Sequence, residues 1–214
     1  CAGQQGNDAM LDDYAAMARG ALALFEATGD NGYLVHAEHW VSIADRHYRD
    51  HEGGGYFFAA DDTPGLITRT KTAHDNAVPS GNGMIANVFA RLYFLTGNAA
   101  YYMKAEAIIT AFSGAVTKNF FPLSTLLNSA EFLQSATQIV IVAHRDDAVP
   151  LTRAVYDLSL PNRLVSIVEP QTTLPVNHPA RGKGQIAGAP TAYVCQGAVC
   201  SAPVTDAESL KQSL

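Results

Sequence analysis

The sequence predicts a mainly α protein, with helical hairpins stacked over residues 1–137 and a small α/β unit over residues 138–214. Three observations carry this. Apolar residues recur at helical spacing through most of the first 137 positions. A hairpin signature repeats at a fixed offset of 68 residues, from Leu24 to Leu92. From Gln138 onward the pattern changes to short β-branched runs typical of buried strands.

The first helix is expected over about residues 9–27, capped by Asn7 or Asp8. Leu11, Tyr14, Ala15, Ala18, Leu22 and Phe25 form one stripe along it, and Gly29 ends it. Asp30 caps a second helix over about 33–49, with Tyr33, Ala37, Val41, Ala44 and Tyr48 on one face. The short connection makes the two antiparallel neighbours. Residues 50–73 predict two short strands, Tyr56-Phe57-Phe58 and Leu66-Ile67-Thr68, about a Pro64-Gly65 turn.

Next comes His74-Asp75-Asn76-Ala77-Val78-Pro79-Ser80-Gly81-Asn82, a stretch of turn-forming and ionisable residues that opens directly into an apolar helix. Ser80 is suited to cap that third helix, over about 81–95, which stops at Gly97. The helix mouth favours an anion, although a well-capped helix start explains the same residues. Asn98 caps a fourth helix over about 99–113, and a fifth over about 122–136 begins with Pro122 in its first turn. The repeat is Leu24, Thr28-Gly29-Asp30, Tyr33 and Ala37-Glu38, recurring as Leu92, Thr96-Gly97-Asn98, Tyr101 and Ala105-Glu106. Repeated hairpins must stack to bury their apolar faces.

In the last third, Ile139–Ala143 predicts a strand. A helix follows, capped by Asp146 or Asp147 and running through about Leu158, and then a second strand over 163–168. This spacing implies a parallel pair with a right-handed crossover. Residues 169–190 read as a loop, Tyr193–Cys200 as a hairpin, and Thr205-Asp206-Ala207-Glu208 as the capping box of a last helix.

The totals set bounds. Fourteen basic against 20 acidic residues give a net charge of −6, with no cluster of Lys and Arg, which argues against nucleic acid as a partner. No run approaches the length of a membrane span and no signal peptide is visible, so no membrane association is expected. The start at Cys1 reads as that of a fragment or a processed product. Three cysteines are too few for a disulfide scaffold, which makes a reducing, cytoplasmic compartment the default. Cys195 and Cys200 can meet across a tight hairpin, but the preferred expectation is two buried free thiols. His47 and His51 share a helical face as metal ligands would, without a third ligand nearby in sequence, so no metal is predicted. Gly182-Lys183-Gly184 lacks the remainder of a phosphate loop, and Gly81-Asn82-Gly83 follows no parallel strand. No cofactor is expected.

Several landmarks occur together and in order: Asp13-Tyr14-Ala15, Thr28-Gly29-Asp30, Gly54-Gly55-Tyr56-Phe57, Asp75 with Pro79-Ser80-Gly81-Asn82, Thr96-Gly97, and Ala192-Tyr193-Val194-Cys195 with Cys200 and Pro203. With them the chain resembles the C-terminal part of the YyaL-like, spermatogenesis-associated proteins, which carry an N-terminal thioredoxin-like domain. The resemblance implies a partial (α/α) toroid of the six-hairpin-glycosidase type, similar to N-acylglucosamine 2-epimerases. The thioredoxin-like domain and the earlier hairpins lie outside this sequence. They, or a second copy of the chain meeting an exposed apolar edge, are the expected protein partners.

In such a toroid the loops at one end ring a cavity in which sugars meet carboxylates and aromatic rings. The resemblance thus nominates Asp13, Glu52 and Asp75 as acid–base residues for glycoside hydrolysis or sugar epimerisation. Asp12 and Asp13 both open an inner helix, where answering the helix dipole is the competing explanation. His74 is an acid–base companion for Asp75, or a loop-orienting group. Tyr14 and Tyr56 supply rings for a sugar, Asn82 an amide at the helix mouth, and Arg69 with Lys71 a hold on a substrate carboxylate or phosphate. The alternative is a non-catalytic helical platform for a thioredoxin-like domain or another protein.

Overall fold

The computed structural model describes residues 8–197 and 199–214. Five helices come first: α1 (Leu11–Thr28), α2 (Asn31–His47), α3 (Gly81–Thr96), α4 (Ala99–Val116) and α5 (Ser124–Ser135), the last entered through a single 3-10 turn at Phe121–Leu123. The C-terminal unit follows as β1 (Thr137–Val142), α6 (Val149–Tyr156), β2 (Arg163–Val168), β3 (Thr191–Gln196), β4 (Val199–Cys200) and α7 (Ala207–Ser213). The protein is therefore mainly α with a small mixed sheet.

The helices form two layers. In the inner layer, α3 lies between α1 and α5. Leu11 at the start of α1 meets Gly81 at the start of α3, and Glu26 near the end of α1 pairs with Arg91 near the end of α3, so these two run parallel. Thr125 and Leu126 meet Gly83, and Phe132 meets Phe94, so α5 runs the same way. The outer layer is α2 and α4, joined by Tyr101 to Glu38 at 2.9 Å and by the Lys104–Asp45 ion pair. The predicted stripes face inward. Leu11, Ala15, Ala18, Leu22 and Phe25 are buried on α1, Ala37, Val41 and Ala44 on α2, and Ile85, Val88, Phe89, Leu92 and Leu95 on α3. A fully buried Leu or Phe contributes about 1.5–3 kcal/mol relative to exposure, and these stripes make one continuous helical core.

The 68-residue repeat is reproduced bond for bond. At the first corner Thr28 Oγ1 donates to the Leu24 carbonyl at 2.7 Å, Asp30 N–H to Thr28 Oγ1 at 3.2 Å, and Gly32 N–H to Asp30 Oδ1 at 2.9 Å. At the second, Thr96 Oγ1 donates to the Leu92 carbonyl at 2.7 Å, Asn98 N–H to Thr96 Oγ1 at 3.2 Å, and Ala100 N–H to Asn98 Oδ1 at 3.0 Å. Gly29 (φ 67°) and Gly97 (φ 72°) turn both corners in the left-handed region, where a Cβ is costly.

Four local expectations are corrected. Residues 56–58 and 66–68 are not strands. The segment is irregular apart from an isolated Arg49–Tyr56 bridge: the Phe58 carbonyl accepts from Leu11 N–H and Phe57 N–H donates to the Tyr48 carbonyl, at the ends of α1 and α2, while Phe58 N–H donates to the Thr70 carbonyl. The cap of α1 is Met10 rather than Asp8, with the Asp13 carboxylate accepting from Met10 N–H at 2.8 Å; Asn7 lies outside the described residues. Ala148, rather than Asp146 or Asp147, precedes α6, whose entry turn is closed by Ala148 N–H bonding to the His144 carbonyl at 3.0 Å. For α7 the cap is Asp206, accepting from Ser209 N–H at 2.9 Å, one residue beyond the Thr205 start of the expected box.

In the C-terminal unit the strand order is β2-β1-β3-β4, with β1–β2 parallel and the other pairs antiparallel. Ile139, Ile141, Val165 and Val194 face α6 and α7 through Leu151, Val155 and Leu210. The outer edge of β2 meets the helical layer. Glu26 Oε2 accepts from Val165 N–H at 3.3 Å, and Arg91 Nη1 donates to the Arg163 carbonyl at 3.5 Å.

Candidate functional site

The parallel inner helices bring their N-terminal ends to one end of the array, and residues 48–80 fold over them. Leu11 N–H donates to the Phe58 carbonyl at 3.0 Å, and Asp75 N–H to the Pro122 carbonyl at 2.7 Å. Between α1, α3 and this segment lies a pocket of about 110 Å³, lined by Leu11, Asp12, Phe58, His74, Ser80 and Gly81 among others. Its carboxylate is Asp12. Burial raises the Asp12 carboxyl above its usual range, the Gly81 N–H opposes that, and the neighbouring Asp13 charge adds to the rise. A Cβ at position 81 would lie 2.1 Å from Asp12 Oδ1, so only glycine leaves the carboxylate its place.

The nominated residues divide. His74 and Asn82 line this pocket; Asp13, Glu52, Asp75, Tyr14, Tyr56 and Arg69 do not. Asp13 is exposed and bonds the backbone of its own helix entry. Glu52 is exposed beside a turn whose anchor is Asp50, which accepts from Glu52 N–H at 3.0 Å, Gly53 N–H at 2.9 Å and Lys71 Nζ at 2.5 Å. The Lys71 ammonium and these N–H groups hold the Asp50 carboxyl down at about 2.

Asp75 clasps two helices. Oδ1 accepts from Ser80 N–H at 2.9 Å, and Oδ2 from Ser124 Oγ at 3.0 Å and Thr125 N–H at 2.8 Å. Partial burial works upward on its carboxyl, but the Thr125 and Ser80 N–H groups outweigh it and the group sits below its usual range. Asn82 is 2% exposed and fully used, donating to the Tyr56 and Thr72 carbonyls and accepting from Tyr56 N–H. Tyr56 is buried, its hydroxyl on Asp45 and its ring 6.0 Å from Phe89. Tyr14 is half-buried against Tyr48, with ring centroids 5.5 Å apart. Arg69 donates to the Ala59 and His47 carbonyls and covers the Phe57 ring at 4.3 Å.

Asp12 is the residue that sequence reasoning weighed and passed over. Its signal was the helical wheel. Residue 13 lies about 200° around from Leu11, on the solvent face, whereas residue 12 borders the buried stripe at about 100°.

A second polar cluster lies on the outer layer. His47 Nδ1 is 2.9 Å from Asp61 Oδ1 and 3.8 Å from Asp62 Oδ2, and one ligand atom from each of the three falls within 4.8 Å of the others. His51 is not part of it. The trio can offer three ligands to a metal, but it is largely exposed and Arg69 adds a positive charge nearby. Cys195 and Cys200 correct the free-thiol expectation. They sit opposite each other on β3 and β4, with Cα atoms 4.0 Å apart, and form a disulfide. That bond removes the ground on which a reducing compartment was expected. Among the described residues no helix is long and apolar enough to cross a membrane.

Fold and site together define a two-layer array of repeated helical hairpins, with a pocket at the inner-helix mouths and an α/β unit docked on the array. No protein-family model matches the chain. It is 31% identical over 211 residues to human spermatogenesis-associated protein 20, 28% to the rat protein and 27% to the mouse protein. Each alignment covers 95% of this chain and 27% of the relative's length. The chain is a relative of spermatogenesis-associated protein 20, and the match fits a C-terminal part of that family.

Proposed function

We propose that the chain is one sector of an (α/α) toroid and that the pocket at the mouths of α1 and α3 is a subsite for a sugar-like, polyhydroxylated ligand. The observation that carries this is the half-buried Asp12, a carboxyl raised by burial and lodged against a glycine that admits no side chain. A carboxyl that holds its proton to higher pH is suited to donate to a hydroxyl or ring oxygen. His74 lines the same pocket and offers an imidazole that can hydrogen-bond a ligand hydroxyl. By analogy of fold, the reaction class is glycoside hydrolysis or sugar epimerisation. In this reading Asp13 and Asp75 shape the mouth, and Asp12 takes the acid role first given to them. At about 110 Å³ the pocket would hold part of a ligand, the remainder of the ring of hairpins completing the cavity.

Saturation-transfer NMR with a panel of neutral and N-acylated monosaccharides tests this. The unmodified chain should give a signal that weakens in Asp12→Asn. No signal from any sugar, or an equal one in the variant, would overturn it.

A second reading, the protein-docking platform, is favoured by a different observation. Phe58, Leu66, Ile67 and Val78 are exposed on the segment that covers the helix mouths, Ile67 completely. Such an apolar rim suits a protein surface, either a thioredoxin-like domain or a second copy. Self-association that disappears in Ile67→Asp, without sugar binding, would favour it.

A further inference from the structure

No cluster of basic residues is visible along the sequence, yet the fold assembles one. A cleft of about 390 Å³ opens where α1, α3, the end of α6 and the start of β2 meet, and Arg19, Arg91, Arg163 and Tyr156 line it. The acid that lines it, Glu26, is already committed. Its Oε1 accepts from Arg91 Nη1 at 2.6 Å and its Oε2 from Val165 N–H at 3.3 Å. Three guanidinium groups thus line a cleft with one carboxylate, which pairs with Arg91, in a chain whose net charge is −6.

Two of the three are held in fixed orientation. Arg91 is 5% exposed, lies 4.4 Å from the centre of the Phe132 ring and bonds Asn87 through Nε at 3.0 Å. Arg163 lies 4.5 Å from the centre of the Tyr156 ring, and its Nη1 reaches the Leu158 and Leu160 carbonyls at 3.4 and 3.3 Å. Neither uses Nη2 in a hydrogen bond among the described residues, and Arg19 makes no side-chain hydrogen bond or ion pair among them. Burial pulls the Arg91 guanidinium down to about 10, Glu26 opposes the fall, and Arg19 adds to it. The cleft adjoins a second basin of about 320 Å³, which shares Tyr156 and Ala27 and adds Arg145, Arg153 and Thr152, whose buried Oγ1 has no hydrogen-bond partner among the described residues.

We propose that this junction between the helical array and the α/β unit is a binding site for a small phosphate-bearing anion, with Arg19, Arg91 and Arg163 as its cationic groups and Tyr156 as its aromatic wall. A planar guanidinium edge can meet two phosphate oxygens at once, as Arg163 can through Nε and Nη2, while Arg91 offers Nη2 alone; groups already fixed on aromatic rings lose little entropy on binding. The site is separate from the helix-mouth pocket, so it stands or falls independently of the sugar reading.

Calorimetric titration of the 214-residue chain with inorganic pyrophosphate at low ionic strength tests it. One saturable site is expected. Arg19→Gln should weaken it about tenfold, the loss of one charge-assisted contact, and Arg19→Glu should abolish it. Both variants should keep the parent's far-UV dichroism, since this side chain bonds nothing among the described residues. Lys118→Gln, exposed just beyond the end of α4, should bind as the parent does. Citrate in place of pyrophosphate should bind at least tenfold more weakly. Absence of saturable binding, equal binding in Arg19→Gln, an equal loss in Lys118→Gln, or citrate binding as tight as pyrophosphate would each overturn the proposal.

Discussion

At the residue scale, position relative to the buried stripe decides what a carboxylate does. Asp12, Asp13 and Asp75 all stand near inner-helix mouths, yet one faces a pocket and two are tied to backbone N–H groups. Asp75→Ala removes a carboxylate that caps α5 and orders the approach to α3. It should cost about 1–3 kcal/mol, read as a lower urea midpoint. The pH sign follows from the lowered carboxyl. Stability from Asp75 is complete above its unfolded value of 3.8 and is lost as pH falls through its lower folded value. The midpoints of parent and variant should therefore converge in strong acid. The presence of acids at this end was legible in the sequence. Their division of labour was not, because capping and ligand-facing aspartates share the same local pattern, and the full use of the Asn82 amide depends on Tyr56 and Thr72 arriving from elsewhere.

At the element scale, the hairpin corners were the most legible part of the chain. Thr-Gly-Asp and Thr-Gly-Asn specify the last turn, the left-handed glycine and the next cap within a few residues, and local chemistry needs no tertiary context to act. Segment 48–80 was the least legible. Its aromatic and β-branched residues have strand propensity, but around Phe57 and Phe58 backbone bonds to the ends of α1 and α2 override it. The two corners also differ in a way that local sequence does not reveal. A Cβ on Gly29 would come 3.1 Å from the Ile167 Cβ, an overlap that a shift of a few tenths of an ångström relieves, whereas one on Gly97 would come 1.9 Å from the Asn177 carbonyl oxygen. Both substitutions by alanine carry the left-handed penalty of about 1–2 kcal/mol. Gly97→Ala should lose clearly more than Gly29→Ala in thermal melting, because the 169–190 loop must also move.

At the scale of the whole molecule, the array and the α/β unit are joined by charge as well as by apolar packing. Glu26 and Arg91, 5% exposed each, lie 65 positions apart in the chain, and both reach β2. Glu26→Ala would strand a buried guanidinium and the Val165 N–H, and should cost about 3–5 kcal/mol in urea unfolding. Both units were legible from the change in hydrophobic period at Gln138. The joint was not, since a Glu in the last turn of one helix and an Arg in the C-terminal half of another announce no partnership. The margin of β2 would otherwise offer its amides and carbonyls to any passing strand. Answering that margin with two side chains lets one of the sheet's two edges end inside its own molecule. The helical half thus acts as a guard against runaway sheet growth, a duty its amino acids perform whatever ligand the protein meets.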